Sequence, residues 1–173
     1  MSKKALIIIA QQGYQDLEYE GVKEQLERAG IDIVVASAAG GMCKGKLGGS
    51  VEDTVPLSGI RVQNHDAIIF IGGPGAEAYT RHPEALRIAH EAAAAFMPLG
   101  AICIAPLILA KAQALDGKRA TVWDSGGKQS SILDKYGATF TGDLVTRDGR
   151  IVTGNGSEAT EEFARTMVEV MRG

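Results

Sequence analysis

Histidine and cysteine are scarce: three and two among 173 residues, with aromatics at 5% and a single tryptophan. The two cysteines, Cys43 and Cys103, lie sixty positions apart and form no disulfide framework, so a reducing, cytoplasmic setting is expected. No apolar run is long enough to cross a bilayer, and no membrane partner is expected. Nor is there an excess of cations. Lys and Arg number 18 against 21 Asp and Glu, a net charge of −3, and they are scattered rather than clustered. That excludes the basic surface that nucleic acid requires. Internal repeats, low-complexity tracts and linkers are absent too. The opening MSKKALIIIAQQGYQD has two lysines and an apolar run, but the run is too short for a leader and reads as a buried strand.

What is there fits a single domain over 1–173, long enough to bury a core without staples. Apolar runs at 4–10, 31–38, 65–73 and 98–103 predict strands buried on both faces. Between them, helical spacing is expected over 14–30, with Leu17, Val22, Leu26 and Ala29 on one face, and over 83–96, where Pro83 sits in the first turn. A helix is expected over 104–115, directly after the fourth strand. Residues 119–123 and 138–140 read as short strands around a weak helix. Asp148-Gly149 marks a hairpin turn within 144–154, and Ser157 reads as the start of the last helix, 157–171. The Gly-rich stretch after residue 38 reads as a hairpin-like excursion, and Cys43 within it as an incidental or oxidisable surface thiol. Strands alternating with helices specify an α/β sandwich: a largely parallel central sheet with helices on both faces.

In such folds ligands bind at the carboxyl ends of the strands, which selects Gln11–Glu18, Gly72–Ala76 and Cys103. A strand entering a helix with no loop forces a sharp turn at Cys103. Gly100, Ala101 and Ala105 are small neighbours that would relieve the crowding there. The amides and dipole of a helix beginning at Ile104 would favour thiolate over thiol. The same pattern also suits a cysteine buried for packing. The GGPG of 72–75 matches neither dinucleotide nor Walker motif, so no cofactor is expected, and no metal. The Gly73 amide is a candidate oxyanion donor. Glu18, if buried near Cys103, would be kept protonated and could donate to the sulfur.

Four segments, AICIAPLILA (101–110), AIIFIGGPGAEAY (67–79), YQDLEYEGVKEQLERAGIDIVVAS (14–37) and DGRIVTGNGSEATEEFA (148–164), together resemble the ThiJ/PfpI superfamily of DJ-one-like proteins. The resemblance implies a flavodoxin-like three-layer sandwich of the class I glutamine amidotransferase-like kind, and a homodimer or larger homo-oligomer. It places the nucleophile at Cys103, the acid at Glu18, and the amides facing the sulfur at Gly73 and Ile104. Gly72, Pro74 and Trp123 are expected at the pocket. The chain departs from the resemblance in three places. Ile104 follows the cysteine where relatives carry histidine, Trp123 stands where others keep one, and Gln15 replaces a second acid. His65, His82 and His90 all read as surface or packing residues.

The resemblance therefore implies an enzyme acting on small reactive carbonyls, of the glyoxalase or deglycase type, with Cys103 as nucleophile and Glu18 moving the proton. The alternative is a redox-sensing stress-response protein whose partner is an oxidant and whose Cys103 is oxidised in place. A PfpI-type amidase or peptidase ranks behind both, because acyl transfer to a poor leaving group wants the absent histidine.

Overall fold

The computed structural model describes residues 2–173. The chain runs β1 (Lys4–Ile8), β2 (Gln12–Tyr14), α1 (Asp16–Arg28), β3 (Asp32–Ser37), β4 (Gly41–Gly45), β5 (Ser50–Pro56), β6 (Ala67–Phe70), α2 (Pro83–Ala94), β7 (Leu99–Ile102) and α3 (Pro106–Lys111). It continues through β8 (Arg119–Ala120), α4 (Lys128–Lys135), β9 (Thr139–Phe140), β10 (Val145–Asp148), β11 (Ile151–Gly154) and α5 (Thr160–Arg172). Nine strands form one sheet in the order β10-β11-β7-β6-β1-β3-β5-β4-β2. From β11 to β5 every neighbouring pair is parallel; β10 and β4 join antiparallel, by hairpins.

The continuous apolar strands make this sheet the middle layer. In β1, Leu6 and Ile8 pack with Ile88 of α2 and Ile108 of α3, while Ala5 and Ile7 pack with Val22 of α1 and Phe163 of α5. A period of two that is apolar on both phases has no solvent side, so helices must cover both faces. The fold is the expected flavodoxin-like sandwich. Among the described residues no helix is long and apolar enough to cross a membrane.

Several local expectations are corrected. Leu17 is 59% exposed, and the buried face of α1 is instead Glu18, Tyr19, Val22 and Leu26. The helix expected from 104 to 115 shrinks to the six residues of α3, because Ile104 and Ala105 form a tight turn before Pro106 and the chain turns out of the helix at Ala112–Gln113, where Gln113 has φ +64°. The glycine-rich stretch is the β4–β5 hairpin, and Cys43 is fully buried in it beside Thr54, not a surface thiol. β2 escapes sequence reading because Gln12-Gly13-Tyr14 carries no apolar alternation.

Candidate active site

The carboxyl ends of β2, β6, β7 and β11 converge on one pocket of about 490 Å³. Cys103 lies in it, half-buried, with φ +65°. The left-handed conformation disfavours a residue with a Cβ, by roughly 1–3 kcal/mol, and persists only where the surroundings impose it. Here the Cys103 N–H donates to the Gly154 carbonyl at 2.9 Å, and its own carbonyl accepts from Trp123 N–H at 2.8 Å. The elbow is thus pinned from β11 on one side and from the segment after β8 on the other. The amides of Gly73 and Ile104 both donate toward the sulfur.

Room for this arrangement comes from Gly72 rather than from the small residues beside the cysteine. A Cβ on Gly72 would collide with the Cys103 Cβ and lie 2.8 Å from both Glu18 Oε1 and the Ile102 carbonyl. Gly72 is buried beneath the pocket, not on its wall, and works through its backbone. Its N–H donates to Glu18 Oε1 at 3.0 Å, and its carbonyl accepts from Gln15 N–H at 2.9 Å, which seats the start of α1. Gly100 serves a different contact: a Cβ there would lie 2.7 Å from Met167 Sδ and 2.9 Å from Phe163 Cζ of α5.

Glu18 has no solvent exposure. Burial lifts its carboxyl to about 7, against the pull of the Gly72 amide, the Ser157 hydroxyl, Cys103 and the Lys46 charge. Cys103 is pushed up to about 12, first by burial and then by the negative charge of Glu18, with the Gly73 and Ile104 amides pulling down. The expectation of a sulfur held as thiolate by a helix dipole is therefore reversed. A six-residue helix beginning three positions later supplies little dipole, and desolvation outweighs two amides. Near pH 7 the carboxyl is about half ionised, and the negative charge the pair gains on passing that point rests on Glu18 while the sulfur keeps its proton. Glu18 is then a base as well as an acid, rather than a permanently protonated donor.

The pocket walls hold residues named from the sequence and others that were not. Pro74, Ile104 and Trp123 line it, the indole 45% exposed. So do Gln15, Lys46 and Ser157, two of which sequence reasoning left outside the site. Lys46 arrives on the β4–β5 hairpin. Its N–H donates to the Tyr14 carbonyl at 2.8 Å, and Asp16 accepts the Leu47 and Gly49 amides, each at 2.8 Å. Asp16 therefore clamps the hairpin rather than facing solvent. Ser157 does not cap the last helix. It opens a short 3-10 turn, and its hydroxyl donates to Glu18 Oε2 at 3.1 Å. Only the joint presence of Ser157 and Glu18 at the ends of adjacent elements reveals that contact, and no local pattern encodes it.

No histidine among the described residues lines the pocket. His65 precedes β6 at the opposite end of the sheet, His82 accepts the Ala85 amide at the start of α2, and His90 Nδ1 pairs with the Ala112 carbonyl.

The family model described as DJ-1/PfpI family matches residues 3–170. An uncharacterized protein of Staphylococcus aureus is 29% identical over 175 aligned positions, spanning 99% of this chain and 100% of that one. A ThiJ/PfpI domain protein from Brachyspira murdochii superposes with a TM-score of 0.91 at 26% identity, covering 99% of this chain and 97% of the other. DJ-1beta of Drosophila melanogaster does so with a TM-score of 0.88 at 26% identity, covering 99% and 91%.

Proposed function

Because the chain belongs to the DJ-1/PfpI family, we propose that it is a cysteine-dependent enzyme that converts small reactive carbonyl compounds, 2-oxoaldehydes above all, to 2-hydroxy acids. The observation that carries this reading is a strained Cys103 set between two amides, with a fully buried carboxyl poised at about 7 beside it. A general acid–base works best near the pH at which it operates.

The chemistry balances without any oxidant. The sulfur attacks the aldehyde carbon as its proton passes to Glu18, and the carbonyl electron pair becomes an oxyanion facing the Gly73 and Ile104 amides. Glu18 returns the proton to give a hemithioacetal. The same carboxylate then takes the proton from the former aldehyde carbon, giving an enediol, and delivers it to the neighbouring carbon while the hydroxyl proton passes to the former ketone oxygen, so that the ketone carbon is reduced as the former aldehyde carbon is oxidised to a thioester. The resulting thioester is hydrolysed by one water, which restores the thiol. One group serves as acid and base in turn, so a pocket without histidine suffices.

The test is consumption of methylglyoxal with lactate as the measured product. Cys103→Ser should abolish turnover, and Glu18→Gln should lower it by about 10²–10⁴-fold. Turnover that survives Cys103→Ser refutes the proposal. Selective peroxide oxidation at Cys103 without aldehyde turnover would instead favour the redox-sensing reading.

A further inference from the structure

Ser157 reaches the site from the far end of the chain. It sits in the turn before α5, yet Ala159 occupies the cap position of that helix with no side-chain cap. The Ser157 hydroxyl turns instead to Glu18 Oε2, at 3.1 Å, while the residue also lines the pocket. The other carboxyl oxygen, Oε1, takes the Gly72 amide at 3.0 Å. With one donor on each oxygen, the plane of the carboxyl is set.

Among the described residues, four groups act on the Glu18 carboxyl through hydrogen bonds or charge. Cys103 comes from the elbow and Lys46 from the hairpin; Gly72 and Ser157 supply the neutral donors. Their chemistry differs. An amide N–H and an ammonium only donate, and a sulfur bonded to substrate can no longer exchange a proton. A hydroxyl both donates and accepts. Ser157 is therefore the one of the four that can touch the buried carboxyl, face the pocket and pass a proton while Cys103 is occupied.

We infer that Ser157 is a positioning residue of this site: its hydroxyl fixes the Glu18 carboxyl beside Cys103 and joins it to the pocket. The inference rests on the reading of Cys103 and Glu18 as a working pair.

Two measurements that need no substrate test it. The Glu18 carboxyl is titrated by carbon-13 NMR in the wild type, Ser157→Ala and Ser157→Thr. Alkylation of Cys103 by iodoacetamide is followed against pH in the same proteins, with circular dichroism as the check on folding. Losing a donor to the charged form raises the midpoint. Ser157→Ala should titrate about one pH unit higher, a tenfold weaker acid, and the inflection in alkylation should move with it. Ser157→Thr, which keeps a hydroxyl, should return both toward the wild type. An unmoved midpoint in folded Ser157→Ala overturns the inference, and so does a shift that threonine fails to restore. Shifted and rescued titrations in a protein that consumes no aldehyde would uphold Ser157 as the partner of Glu18 and remove the carbonyl reading alone.

Discussion

Replacing Glu18 by glutamine should remove a pH-dependent loss of stability that the wild type carries. Burial lifts the carboxyl from its ordinary 4.5 to about 7. Between those values the unfolded chain has released the proton while the folded chain still holds it. The folded state then binds more protons, so stability falls as pH rises through that window and levels off above about 7. The size follows from the interval: about 3 kcal/mol, at roughly 1.4 kcal/mol per pH unit. Glu18→Gln has no proton to lose. Its amide can keep one oxygen on the Gly72 N–H and turn its NH2 to the Ser157 oxygen, which adds only a pH-independent offset. The assay is urea unfolding of both proteins at several pH values between 4.5 and 8, on the condition that the denaturant slopes agree. All other titrating groups are common to the two and cancel in the difference. That difference should move by about 3 kcal/mol in favour of Glu18→Gln as pH rises. A difference flat to about 0.5 kcal/mol across the range would mean that Glu18 ionises normally in the folded protein, and the acid–base pairing would fall with it.

Two further outcomes follow from packing and hydrogen bonding. Gly72→Ala drives a methyl against the Cys103 Cβ and Glu18 Oε1. It should cost about 1–3 kcal/mol, a fall in Tm of roughly 2–12 °C, and slow the alkylation of Cys103. Gly59→Ala, with nothing within 4 Å of the added Cβ, should stay within about 0.5 kcal/mol of the wild type; equal effects of the two would refute the crowding argument. Asp16→Ala strips the acceptor from the Leu47 and Gly49 amides. Hydrogen exchange at those two amides should accelerate and stability should drop by about 1–3 kcal/mol; unchanged exchange would show that the hairpin holds Lys46 in place without Asp16.

Much of the fold was legible because it is written in local patterns. The apolar runs of β1, β6 and β7 could only be strands covered on both faces, and Asp148-Gly149 marked the β10–β11 hairpin, where Gly149 indeed has φ +63°. Cys103 was legible as an elbow for the same reason: an apolar strand pattern gives way there to a helical one, leaving only the tight turn of Cys103–Ala105 between β7 and α3. Leu17 misled because helical spacing alone does not say which stripe faces the sheet, and the buried stripe here includes a carboxylate. Cys43 misled because a glycine-rich segment reads as surface, whereas its neighbours in the hairpin and Gln11 enclose it.

The sequence by itself determined the alternation of buried strands with helices, the family pattern and the residue at the bend. Each depends on groups within a few positions of one another. Only the tertiary structure decided the chemical state of the site. Whether Cys103 holds a proton depends on how deeply it is desolvated and on a carboxylate 85 positions earlier in the chain. The state of that carboxylate depends in turn on a hydroxyl 139 positions away and on an amide 54 positions away. Desolvation and charge act through space, so their balance exists only once the chain ends of four strands have been brought to one pocket.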